Sequence, residues 1–96
     1  MKAFGEAAFS LNDLVQVSVQ YYWAAGASGR IADPPPSIVD LAPGWDGLTR
    51  FDPDHPDGPR YTYWVRFDQP QRDFDGTGPY EEAEIDARYL NLLKHS

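Results

Sequence analysis

From Tyr61 to Asp68 the chain alternates with a period of two, Tyr61, Tyr63, Val65 and Phe67 against Thr62, Trp64, Arg66 and Asp68. Only pleated backbone sends such residues to opposite faces, so this stretch must be a strand with one face in a core. Leu14 to Tyr22 carries the same signature, with Val15, Val17, Val19 and Tyr21 on one side and Gln16, Ser18, Gln20 and Tyr22 on the other. Two strands separated by some forty residues imply a sheet assembled from distant parts of the chain.

The rest of the chain reads as short elements between turns. Residues 1–13 form a lead-in that ends at the turn-favouring pair Asn12-Asp13. Gly26 and Gly29 bring backbone close before a short strand over Arg30-Ile31-Ala32, and Pro34-Pro35-Pro36 stops it. Proline is tolerated at the first position of a helix, so Pro36 to Leu41 predicts a helical turn. Residues 44–60 are dense in Gly and Pro and predict an ordered loop anchored by Trp45 and Phe51. After an Asp- and Gly-rich turn, Glu82 to Ile85 alternates again with Ala83 and Ile85 inward. Residues 86–89 predict a tight helical turn, and Leu90-Asn91-Leu92 a closing strand.

The order of strand, acidic loop, strand, single turn and short closing strand is that of SH3-like barrels. Tyr63-Trp64-Val65-Arg66-Phe67-Asp68, followed by Ala83-Glu84-Ile85-Asp86-Ala87-Arg88-Tyr89-Leu90, resembles the C-terminal barrel of nitrile hydratase β subunits. There a Val-x-Phe-Asp strand leads to a Val-Asp-Leu-Trp-x-x-Tyr-Leu ending, whose Leu-Trp pair is Ala87-Arg88 here. The Val-rich strand and Gly26-Ala27-Ser28-Gly29-Arg30-Ile31 are similar to KOW-type barrels. The resemblance implies an all-β chain: one small domain over residues 1–96, folded as a five-stranded, partly open SH3-like barrel. Residues 33–60 would be a long insertion carrying one helical turn. It also implies an accessory or docking role, since nitrile hydratase holds its metal on the α subunit through cysteines and this chain has none.

Charge narrows the partners. A net charge of −7 opposes phosphate backbones, so the composition predicts no nucleic-acid ligand and favours a basic protein partner. Without cysteines there are no disulfides or thiolate metal sites, and without a long apolar run no membrane anchor is expected. The expected location is the cytoplasm.

Three groups of residues could carry function. Tyr22, Trp23, Trp64 and Tyr80, with Asp52 and Asp54 on an acidic loop, are the candidate partner-binding set: rings supply contact area and carboxylates orient a lysine or arginine. The alternative is that Trp23, Trp45 and Trp64 cover the barrel beneath the insertion. Asp73, Asp75, Thr77, Glu81 and Glu84 fall at the first, third, fifth, ninth and twelfth positions of a loop with Gly78 sixth. This is the spacing of a calcium-binding EF-hand loop and makes Ca2+ the candidate cofactor. Against it, no helix enters the loop, and the same residues suit a solvated hairpin. His55, among Asp52, Asp54 and Asp57, is a weaker metal candidate. No nucleophile elbow, P-loop, dinucleotide fingerprint or zinc-protease helix is present, so no enzyme is expected. The readings are a protein-docking module, a calcium-stabilised module, and a small acidic inhibitor of a basic enzyme.

Overall fold

The computed structural model describes residues 9–96, so residues 1–8 of the expected lead-in lie outside the described residues. The described chain is all-β. Strands β1 (Leu14–Val17) and β2 (Ser28–Ala32) are followed by helix α1 (Pro36–Leu41) and by β3 (Trp45–Asp46), β4 (Thr49–Asp52) and β5 (Arg60–Gln71). Strand β6 (Tyr80–Asp86), a 3-10 turn (Ala87–Tyr89) and β7 (Leu90–Lys94) complete it.

All seven strands join one antiparallel sheet, in the order β3-β4-β5-β2-β1-β7 with β6 on β5. β5 holds the sheet together because its two edges are used differently. Thr62 pairs with Arg50 of β4 on one edge and Asp86 of β6 on the other; two residues on, Trp64 pairs with Ala32 of β2 and Glu84 of β6. β4 and β2 therefore follow one another along the same edge, and β6 lies along the opposite one.

The expected five strands are the run β7-β1-β2-β5-β6, and the difference is the β3–β4 hairpin inside the insertion. Its strands of two and four residues are too short to show a period in the sequence. Gly47 makes the turn with φ +62°, and at Gly44 a Cβ would come within 2.7 Å of the Phe51 carbonyl oxygen, so glycine permits the close pairing. β1 is shorter than expected. It ends at Val17, after which Ser18 accepts a backbone bond from Tyr21 (3.1 Å) and caps Gln20 with its hydroxyl. This turn throws Val19 out to 79% exposure and still delivers Tyr21 to the interior.

Val15, Val17, Ile31, Tyr63, Val65 and Ile85 are at most 1% exposed, and each fully buried side chain contributes roughly 1.5–3 kcal/mol of transfer free energy. Ile85 of β6 and Leu90 of β7 enter the same cluster, so the sheet curls until its two ends share one core. Of the face expected inward on β5, Tyr63, Val65 and Phe67 are buried and Tyr61 is half-buried. β2 crosses β5 closely at Gly29, where a Cβ would meet the Arg66 carbonyl oxygen at 2.5 Å.

Candidate functional site: an aromatic and acidic cleft between two loops

The loop after β1 and the β5–β6 hairpin meet at one end of the sheet. The loop returns to β2 through Val17 N–H to Ala27 O (2.8 Å) and Gly26 N–H to Val17 O (2.9 Å), which presents Tyr22 and Trp23 at its tip. The hairpin is a closed turn: Asp73 N–H donates to Thr77 O (2.8 Å) and Gly76 N–H to Asp73 O (2.9 Å). Tyr22, Trp23 and Tyr80 then line a cleft of about 210 Å³ together with Asp73, Ala83 and Glu84. Trp23 packs edge-on against Tyr80 (5.9 Å between centroids) and Phe67 (5.8 Å), an arrangement that suits the ring quadrupoles and fixes the wall.

Tyr22 remains 66% exposed and meets Phe74 at 6.3 Å. With Phe74 at 76% and Val19 at 79%, this end of the molecule carries three exposed apolar side chains on two facing loops. Neither Phe74 nor Val19 was singled out by sequence reasoning. Phe74 sat inside a calcium-like spacing, and Val19 inside an alternation that placed it inward. Beneath them, Tyr21 stacks on Tyr89 at 5.0 Å, and burial pushes its phenol up to about 12.

The remaining partner-binding candidates lie elsewhere. Trp64 is only 7% exposed: Trp45 of β3 meets its ring at 6.5 Å, and its indole N–H donates to Glu82 Oε1 at 2.5 Å. Its outward position holds, but the β3–β4 hairpin covers that face, as in the alternative reading of the tryptophans. Asp52 ends β4 and faces Arg60 (3.8 Å) and Arg50 (4.0 Å), and it accepts the Asp54 N–H (3.1 Å). Neither acid lines the aromatic cleft.

Those contacts belong to a chain of alternating charges across β4, β5, β6 and the 3-10 turn. Glu84 pairs with Arg50 at 3.0 Å, Arg50 with Asp52, Asp52 with Arg60, Arg60 with Asp86 at 3.7 Å, and Asp86 with Arg88 at 2.8 Å. Thr62 adds a hydroxyl bond to Glu84 at 2.5 Å.

The calcium-like spacing does not become a cage. Glu84 gives its carboxylate to Arg50 and Thr62, while Asp75 Oδ1 accepts both the Thr77 hydroxyl (2.6 Å) and the Thr77 N–H (3.0 Å). Those Thr77 bonds hold the Asp75 carboxyl below its ordinary range, hydroxyl first. Asp73 Oδ1 caps Phe74 N–H at 2.7 Å, and Glu81 lies exposed on β6. Among the described residues no group of three or more His, Asp or Glu side chains converges to hold a metal. A strand at the twelfth position aims Glu84 at its neighbour rather than into the loop, which is why the linear spacing misleads. His55 accepts the Asp57 N–H at its Nδ1 (3.1 Å), a loop-closing contact.

No helix among the described residues is long and apolar enough to cross a membrane. Comparison with protein families, curated proteins and solved structures found no match to this chain.

Proposed function

We propose that this chain is a non-catalytic protein-binding module, an SH3-like barrel of the kind resembled by nitrile hydratase β subunits, that docks a basic segment of a partner. The observation that carries the reading is the meeting of Tyr22, Trp23 and Tyr80 with Asp73 around one cleft. Rings that are already packed lose little freedom on binding, and a carboxylate beside them favours a cationic side chain. The net charge of −7 adds long-range attraction for such a partner.

Titration of the tryptophan fluorescence with short peptides, matched in length and differing in Arg and Lys content, tests it. The basic peptides bind, more weakly as salt rises, and Tyr22→Ala weakens binding about tenfold, roughly 1.4 kcal/mol, with an unchanged melting temperature. Equal binding of neutral and basic peptides, or Tyr22→Ala binding as the parent does, overturns the reading.

A further inference from the structure

The chain places most of its described arginines against carboxylates or carbonyls. Arg50, Arg60 and Arg88 lie in the alternating charge chain, and Arg72 donates to Gly76 O (3.2 Å) and Gly78 O (3.3 Å). Arg30 and Arg66 differ in facing one another rather than a carboxylate. The β2–β5 register sets them directly opposite one another, and both are exposed on the outer face. Like charges directly opposite one another destabilise a sheet, so the pairing costs the free protein stability.

Neither has a carboxylate partner among the described ion pairs. Glu82, opposite Arg66 on its other side, accepts from Trp64, and Asp68 accepts the Ser28 hydroxyl at 2.8 Å. Arg30 donates instead to the main-chain oxygen of Asn12 (3.0 Å), a residue held at φ +69°. Asn12, Arg30, Arg66 and Asp68 line one open cleft of about 280 Å³, and the β1–β7 register continues the row past Leu14 to Lys94.

We infer that the cleft between Arg30 and Arg66 is a receptor for a doubly charged oxyanion of the phosphate type. Adjacent strands stand ~4.8 Å apart, close enough for two guanidinium forks to share one tetrahedral anion. A dianion neutralises both arginines and relieves their repulsion, which a single carboxylate does only in part. The overall negative charge does not prevent this, because at physiological salt fields are screened beyond about 8 Å and, within the cleft, the two arginines outnumber the one lining carboxylate, Asp68. The site is separate from the aromatic cleft and stands without it.

The test follows the arginine Nε–H resonances during titration with inorganic phosphate and, separately, with a short phosphoserine peptide, against chloride at matched ionic strength. Saturable shifts at Arg30 and Arg66 are expected. They are weakened at least tenfold in Arg66→Gln and unchanged in Arg72→Gln. Binding of the peptide at least tenfold tighter than inorganic phosphate assigns the site to a phosphorylated segment, and equal binding assigns it to free phosphate. Shifts that never saturate, or that persist in Arg66→Gln, overturn the inference. Because Arg66→Gln removes a repulsive pair, it melts no lower than the parent in chloride, so a folding defect cannot imitate loss of the site.

Discussion

Arg88 grips Asp86 with two nitrogens, Nε to Oδ1 at 3.2 Å and Nη2 to Oδ2 at 2.8 Å, while its own backbone N–H donates to Oδ1 at 2.9 Å. One carboxylate, its side chain 3% exposed, thus caps the 3-10 turn and anchors the last ion pair of the charge chain. Asp86→Asn keeps the shape and loses the charge, leaving Arg60 and Arg88 facing a neutral group. Arg88 is partly solvated, which limits the loss, and a drop of about 2 kcal/mol is expected, read as a lower urea midpoint at constant slope.

Acid should reach the fold through the same residue. Burial alone would raise the Asp86 carboxyl, but the bonds from Arg88 outweigh it and, with Arg60 nearby, hold the group below the usual carboxylate range. Asp13 is lowered as well, by the backbone N–H groups of Ser10 and Ser96. A carboxyl depressed in the folded state contributes stability that is complete above its unfolded value of about 3.9 and disappears as pH falls through the folded value. Melting temperature should therefore be flat from pH 7 to about 5 and fall below it, with a shallower fall in Asp86→Asn. An equally steep fall in the variant contradicts the assignment.

Tyr21 sets a limit at the alkaline end. Its phenol is pushed up to about 12 by burial, so the folded state keeps a proton that the unfolded chain releases near 10. Its contribution is present below pH 10 and is lost between there and about 12. Tyr21→Phe should remove that part of the alkaline decline, measurable as a smaller loss of melting temperature between pH 9 and 11.

Trp64 should behave as a structural residue. Removing a large buried ring costs roughly 3–5 kcal/mol, so Trp64→Ala is expected to unfold the domain or nearly so. Trp64→Phe fills most of the volume yet leaves Glu82 without its indole donor, for a loss of about 1 kcal/mol. Tyr22→Ala, from a ring 66% exposed, should shift the melting temperature by less than its error.

At Gly29 an added methyl group meets the Arg66 carbonyl oxygen at 2.5 Å and Cγ1 of the fully buried Val65 at 2.9 Å, neither of which can yield. Gly29→Ala must therefore spread β2 from β5 in the middle of the sheet. A loss of several kcal/mol, or failure to fold, is expected by denaturant unfolding.

What the sequence made legible was the backbone frame. The alternation in Tyr61–Asp68 survives as the inward row Tyr63, Val65 and Phe67, because a sheet with one packed face tolerates no slip in register. Val19 broke the pattern because a Ser18 hydroxyl and a local turn compete with strand pairing, and alternation carries no record of that competition. Tyr22, Trp23 and Tyr80 were legible as candidates, though not as one cleft, since their meeting depends on how two loops fold over one another. Which of two readings holds for Trp64 and Glu84 was not legible for a shared reason: each is held by a partner more than ten residues away, Trp64 by Glu82 and Glu84 by Arg50 and Thr62.

The shared edge of β5 bears on how the region before it can vary. β4 supplies the backbone partners of Arg60 to Tyr63 on the very side where β2 serves Trp64 to Phe67. Replacing residues 44–52 by a flexible tether would strip hydrogen-bond partners from one third of the longest strand and bare the Trp64 ring at the same stroke. Although it enters the chain like an ornament between two barrel strands, this hairpin is a structural wall, and changes of length are tolerable only in the segments that flank it.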